Sequence, residues 1–408
     1  CPGTTVMHMA PPFRGYGYGW FIEGCLFAVG TEIERIIFTA EYPVYPAWSG
    51  LYFYESDNDF YPSRLKYCDI EYVNNWLYPE IPYWQYFWDG YGAAVNLFDY
   101  SNIRISYSEF RYNVGVLGGG IGVHGESFPF IEENLFNYNF ALGGGGIFWS
   151  PNFVEFRSDR PVILDSTFTV ANNTFENNLA VSGGAIYLQQ HLEEFYDRDE
   201  FDADVEVEIA NNVLTNNISI GNLYLDEVLS VLDDLGIYIS RYDRDGIDDY
   251  WTGLRNVMTE NDIMAAYQEN FSNSRFQIWS GGGGIFSGNL SPYIHDNEII
   301  GNGALGIYDE EHWYYGNYTY NFFASRGGGI FTGLDPIYYF FGDYRDVDIP
   351  NPVINNNLVQ DNFTYSKTDE EYHYVVLEEW DIFYAAIGSG AGVYNSYQYL
   401  ELTGNTIV

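Results

Sequence analysis

The feature that most limits what this chain can fold into is a nine-residue phrase written five times and begun a sixth. Ile131, Asn134, Phe136 and Asn139 fall at relative positions 0, 3, 5 and 8. The same places are held by Val170-Asn173-Phe175-Asn178, Ile209-Asn212-Leu214-Asn217, Ile294-Asn297-Ile299-Asn302 and Ile354-Asn357-Val359-Asn362. Leu402, Asn405 and Ile407 start another copy. A glycine run closed by an aliphatic residue accompanies most copies, as at Gly145-Gly146-Ile147. Units repeated in this way bury their apolar faces against one another rather than alone.

The intervals say what kind of unit this is. Ile121 and Ile147 lie 26 residues apart, and Ile131, Val170 and Ile209 are spaced by 39, which is 26 plus an insertion of 13. A period in the twenties, rich in β-formers, predicts one turn of a parallel β-helix with each strand about 4.8 Å above the last. Equivalent residues then stack. An inward asparagine can bond the asparagine above it and the backbone of the bend, which keeps buried polar groups satisfied. The expected ladders are Asn134, Asn173, Asn212, Asn297, Asn357 and Asn405, and Asn113, Asn139, Asn178, Asn217, Asn302 and Asn362. Glycine runs of three or four argue against a helical array.

The frame extends backwards through Ile105-Ser108-Phe110-Asn113 and, more loosely, Leu65-Cys68-Ile70 and Ile22-Cys25-Phe27. Anchors at 22, 65, 105, 131, 170, 209, 294 and 354 give eight turns, with another beginning at 402. The expectation is an all-β solenoid over 19–408 behind an extension at 1–18.

With Gly183-Gly184-Ala185-Ile186 and Phe175-x-x-Asn178, the chain resembles right-handed parallel β-helix repeat proteins. These form the pectin-lyase-like superfamily in the broad sense, including polymorphic outer-membrane and autotransporter-type passenger domains. The stretches GWFIEGCLFAVGTEIERIIFTA, WSGLYFYESD and SRLKYCDIEYV resemble the entry turns of large secreted β-helix surface proteins. The resemblance covers about residues 20–408. It implies the right-handed coil and a place outside the cell or on its surface. It does not select an activity, because lyases, hydrolases, adhesins and structural fibres share this architecture.

Excess sequence marks where activity can sit. Loops are expected at 151–163, 190–205, 218–280, 303–325, 335–349 and 363–388. From the second asparagine to the next glycine strand is 8 residues at Asn139–Ile147, but 68, 28 and 31 in the three cases that start at Asn217, Asn302 and Asn362. Function tends to ride on loops carried by a scaffold. Within 218–280, Val228, Val231, Leu232 and Leu235 have helical spacing, and Thr259 with Asp262 can cap a second helix. Between them Asp243, Asp245, Asp248 and Asp249 alternate around Gly246, part of a calcium-loop grammar without the distal glutamate of an EF-hand. A solvated acidic turn reads the same way. The run 191–208 holds nine acidic residues and is either a solvated loop or a weak cation site.

Charge narrows the partners. Sixteen Lys and Arg stand against 57 Asp and Glu, a net −41, which disfavours nucleic acid and anionic lipid. No apolar run reaches 18 residues, so no transmembrane segment is expected. The 40 tyrosines exceed what one core needs, and exposed Tyr and Trp suit glycan stacking or protein contact.

No catalytic set stands out. A lyase needs a base, and no Lys or Arg is seen to recur on one exposed strand face. His124, in Gly122-Val123-His124-Gly125, reads as structural. Glu132, Glu133 and Asp296 are carboxylates at comparable frame positions, the raw material of glycoside cleavage. Cys25 and Cys68 share a frame position, so they can form a disulfide between stacked turns or sit as two small interior residues. Six Asn-x-Ser/Thr sequons occur. Asn217 and Asn362 are assigned inward, Asn172 is the third near the scaffold, and Asn270, Asn289 and Asn317 fall in or near loops and are the candidates for glycosylation. The expectation is an extracellular structural or adhesive protein that binds glycans or calcium through its loops. Its expected assembly is a homo-oligomer or fibre, by analogy with open coil ends that invite stacking. A polysaccharide lyase or hydrolase is the alternative.

Overall fold

The computed structural model describes residues 1–8, 19–40, 48–56, 62–73, 93–98, 100–125, 127–150, 167–189, 206–220, 281–288, 290–308, 324–333, 351–368, 375–377, 380–382, 387–396 and 400–408. Among them there is no helix, and therefore none long and apolar enough to cross a membrane. The strands assemble into a parallel β-helix. One turn runs from the anchor strand Phe130–Glu132 to Leu135–Asn137, then Phe140–Gly143, then Ile147–Ser150. Each strand pairs in parallel with its counterpart one turn on, residue for residue: Ile131 with Val170, Phe136 with Phe175, Phe140 with Leu179, Ile147 with Ile186. The sheet of anchor strands and the sheet of glycine-preceded strands hold nine strands each, and the sheet that contains Phe136 holds ten. A fourth sheet of five strands includes Ile218–Ser219, Gly303–Tyr308 and Phe363–Thr368. Three of the expected insertions therefore begin as scaffold.

The core is a set of stacked columns. Ile105, Ile131, Val170, Ile209, Ile294 and Ile354 are wholly buried in one, and Phe110, Phe136 and Phe175 stack in another with ring centroids 4.9 and 4.7 Å apart. Each buried phenyl ring of this size contributes about 1.5–3 kcal/mol of transfer free energy. Columns keep the register, because a slip by one residue would turn every core side chain outward.

The asparagines close the bends. Asn173 shows the arrangement: its Oδ1 accepts from the backbone N–H and from Nδ2 of Asn134, both at 3.0 Å. Its Nδ2 donates to the Ile131 carbonyl at 3.0 Å and to Asn212 Oδ1 at 3.1 Å. The chain continues to Asn297, Asn357 and Asn405. A second ladder links Asn113, Asn139, Asn178, Asn217, Asn302 and Asn362. Each inner amide fills its donor and acceptor capacity, the condition for burying it.

The residue before every ladder asparagine is left-handed, Gly301 and Gly404 among them. Glu133, Asn172, Asn211, Asp296 and Asn356 precede one ladder and Tyr112, Tyr138, Asn177, Asn216 and Asp361 the other, with φ between 53° and 59°. That conformation turns the chain so that the next side chain points inward. It is unfavourable for most L-residues and least so for Asn and Asp. The tyrosines found there stack on one another: Tyr72 on Tyr112 at 5.5 Å and Tyr112 on Tyr138 at 5.6 Å. At the third bend glycine is required for space. A Cβ on Gly145 would lie 2.3 Å from the Gly184 carbonyl oxygen of the next turn.

The first turn departs from the expected frame. Leu65 pairs with Ala28, not Ile22, and Ile22 pairs with Phe53 in the glycine-preceded sheet. Ala28 is followed by an enlarged bend, so Cys68 stacks on Ile36 rather than on a cysteine. Cys25 precedes the anchor strand and is exposed, whereas Cys68 is buried in the next turn, so the two do not stack and the disulfide alternative is corrected. The extension 1–18 is also in part scaffold, since Thr5–His8 pairs with Ile37–Ala40.

Candidate functional site

The outward face of the anchor sheet carries the most distinctive surface chemistry among the described residues. Parity sets it up: with Leu65, Ile105 and Ile131 inward, their neighbours point to solvent. Arg64 pairs in register with Arg104, and Arg104 with Phe130. Lys66 lies two residues beyond Arg64 on the same face. Phe27, in register with Arg64, is 53% exposed and Phe130 is 40% exposed. Lys66 and Arg104 rest on rings rather than on acids. Lys66 Nζ stands 5.3 Å from the Tyr67 ring centroid and 5.0 Å from that of Tyr107, and the Arg104 guanidinium 5.8 Å from Phe130. Tyr67 and Tyr107 stack at 5.1 Å. The Glu133 carboxylate in the next turn pushes the Tyr107 phenol above its ordinary pKa.

Among the described residues, none of Arg64, Lys66 and Arg104 forms an ion pair. Elsewhere the pairing is made: Arg35 bonds Asp69, and Arg111 bridges Glu71 at 2.6 Å and Glu109 at 3.1 Å. Three bases without an acid partner among the described residues, two of them over rings, in a chain where acids outnumber bases by 57 to 16, are the anomaly of this surface. The expectation that no Lys or Arg recurs on one exposed strand face is therefore corrected. Arg64 and Arg104 are 40 residues apart and become neighbours only through the register.

Further along the same sheet the sign reverses. Glu206 and Glu208, the end of the acidic run 191–208, lie on the strand Glu206–Ala210 and face outward. His295 of the next turn sits with Nε2 3.1 Å from Glu208 Oε1 and Nδ1 2.7 Å from Asp296 Oδ2. Tyr293 stacks on the imidazole at 4.1 Å. Bonds from His295 and then from the Asn356 amide hold the Asp296 carboxyl below its ordinary pKa.

The other sequence candidates distribute as follows. Glu133 and Asp296 occupy one bend column, but Asn172 and Asn211 intervene. Three strand spacings put them about 14 Å apart, beyond the separations glycosidases use. His124 is buried between Phe98 at 4.9 Å and Phe148 at 5.3 Å, and desolvation pushes its pKa down to about 3. Asn217 lies buried in its ladder and Asn362 half-buried in the same one, while the sequon residue Asn172 is exposed at a bend. The calcium candidates Asp243, Asp245, Asp248 and Asp249, the two helices expected around them, and the sequons at Asn270, Asn289 and Asn317 lie outside the described residues. No group of three or more His, Cys, Asp or Glu able to hold a metal occurs among the described residues.

The left-handed bend column and the basic face escaped the sequence reading. For the first a signal existed: Asn172-Asn173, Asn177-Asn178, Asn211-Asn212, Asn216-Asn217 and Asn356-Asn357 are all doublets. Compared with protein-family models, curated proteins and solved structures, the chain matches none of them.

Proposed function

We propose that this chain is a structural or adhesive β-helix protein that works outside the cell or at its surface and associates with further copies of itself. In handedness and ancestry we place it with the right-handed coils of the pectin-lyase-like superfamily. The observation that carries the reading is the anchor-sheet face, where exposed rings and unpaired bases stand on a scaffold locked by two asparagine ladders. Such a surface is built to meet a partner, since scattered exposed apolar residues need no explanation but a contiguous patch of rings and charges does. Glycans and calcium are proposed ligands of the loops, calcium at Asp243, Asp245, Asp248 and Asp249.

Sedimentation velocity and electron microscopy across protein concentration test the association. Species larger than the monomer are expected, and a strictly monomeric chain at every concentration and salt would overturn the reading. For calcium, the melting temperature should rise with the ion and fall back with chelator, since a ligand that binds only the native state stabilises it. Asp243→Asn with Asp245→Asn should abolish the rise.

A polysaccharide lyase or hydrolase is the second reading, favoured by the partly buried His295 ring held between Glu208 and Asp296. A carboxylate-oriented imidazole is a usable general acid or base. Release of reducing ends or unsaturated products from acidic and neutral polysaccharides, lost in His295→Ala, would support it.

A further inference from the structure

We propose that two copies of this chain dock through their anchor-sheet faces with the coil axes antiparallel. This rests on the associating role proposed above and names the surface that performs it.

The argument is charge complementarity along one face. In sheet order, the strand with Arg64 and Lys66 is second and that with Arg104 third; the strand with Glu208 is sixth and that with Tyr293 and His295 seventh. A two-fold axis parallel to the strands, midway between Phe130–Glu132 and Thr167–Ala171, exchanges second with seventh and third with sixth. It places Arg104 opposite Glu208 of the other copy. It places Lys66 opposite the His295–Asp296 pair, and Arg64 over the Tyr293 ring. At the centre Phe130 meets Thr169, so no like charges face each other there. All these positions lie in the two outward columns or at the adjoining bend, and equal strand spacing of about 4.8 Å makes the match hold at both ends at once. A two-fold contact of this kind is self-complementary and closes as a dimer.

The parallel alternative sets the Arg64–Lys66 strand against the same strand of the other copy and the Glu208 strand against its own counterpart, which like charges penalise. A polyanionic ligand would satisfy the bases but leave Tyr293 and the acidic end unexplained. The second copy accounts for both ends of the face.

The test is a charge swap read by sedimentation equilibrium at low salt. The unmodified chain should dimerise, and the dimer should weaken as salt rises, because partly exposed pairs are screened. Arg104→Glu and Glu208→Arg alone should each raise the dissociation constant by roughly tenfold or more. The double variant Arg104→Glu/Glu208→Arg should restore it. In one copy these positions lie three strands apart, so the rescue can only be intermolecular. A double variant as weak as either single one overturns the proposal, and so does a monomeric chain that loses binding to a heparin column in Arg104→Glu, which would assign the face to a polyanion. Assemblies that persist unchanged in Arg104→Glu would leave the associating role standing and remove this surface from it.

Discussion

Replacing Asn173 by alanine tests whether the ladders, rather than the apolar columns alone, hold the turns together. Two buried donors of Asn134, its backbone N–H and one N–H of its side chain, both end on Asn173 Oδ1 at 3.0 Å. Alanine leaves both aimed into a space that no longer accepts. An orphaned buried donor costs about 1–3 kcal/mol, so the pair costs about 2–6 kcal/mol, centred near 4. With an unfolding entropy of about 2.1 cal/mol/K per residue over the whole chain, ~4 kcal/mol corresponds to a fall of roughly 5 °C in Tm. Asn405 receives the same two bonds, from Asn357 at 2.8 and 2.9 Å, but is only half-buried. Water can replace it there, so Asn405→Ala should cost less than about 1 kcal/mol. Urea titration followed by far-ultraviolet circular dichroism gives the global difference. Turns of a solenoid can open separately, so native-state hydrogen exchange at the Asn134 amide supplies the local one. Losses at Asn173 no larger than at Asn405 would show that burial and register suffice, and that the asparagines only tolerate their position.

Gly184→Ala should prevent the native turn or cost more than about 3 kcal/mol in urea titration, because its Cβ would stand 2.2 Å from the Gly283 carbonyl oxygen and 2.6 Å from the Ile218 nitrogen. Asn172→Val should lower stability by about 1–2 kcal/mol and Asn172→Gly by much less, since a β-branched residue is strained at φ 57°; equal melting curves would count against the bend argument. His124 has its pKa pushed below the unfolded value of 6.5 to about 3, so the unfolded chain binds the proton first as pH falls. Its contribution is complete above about pH 6.5 and is lost toward pH 3, about 2 kcal/mol by pH 5. The loss from pH 7 to 5 should therefore be steeper in the parent chain than in His124→Phe, and parallel slopes would refute it. A thiol reagent should label Cys1 and Cys25 at once and Cys68 only on unfolding, since burial pushes that thiol up to about 12; three fast thiols would contradict the fold of the Cys68 strand.

The coil was legible because its inward positions are chemically exclusive. An apolar anchor, an amide that must both donate and accept, and a glycine pressed against a carbonyl leave few choices, so Asn134, Asn173 and Gly145 spell their places. The left-handed bends were less legible because the demand there is on φ, which Tyr112, Asn177, Gly301 and Asp361 all meet at the same place in successive or nearby turns. The first turn misled because Ile22-Cys25-Phe27 imitates the spacing by letter, while the true anchor, Ala28, is small and is followed by a bend that later turns lack.

The basic face was hidden for a different reason. Net charge sums over the chain, whereas recognition depends on charges within about a Debye length, near 8 Å at physiological salt. Strands about 4.8 Å apart bring Arg64, Lys66 and Arg104 within about one such radius of one another. The sequence separates Arg64 from Arg104 by a full turn with its insertion, so no window along the chain contains the cluster. At the outward positions of these two strands the local sign is thus opposite to the global one. A partner drawn to the whole molecule by cation affinity would avoid this face, and one that fits the face must bring acids and rings of its own. The far end of the same sheet offers both, in Glu208, Asp296 and Tyr293.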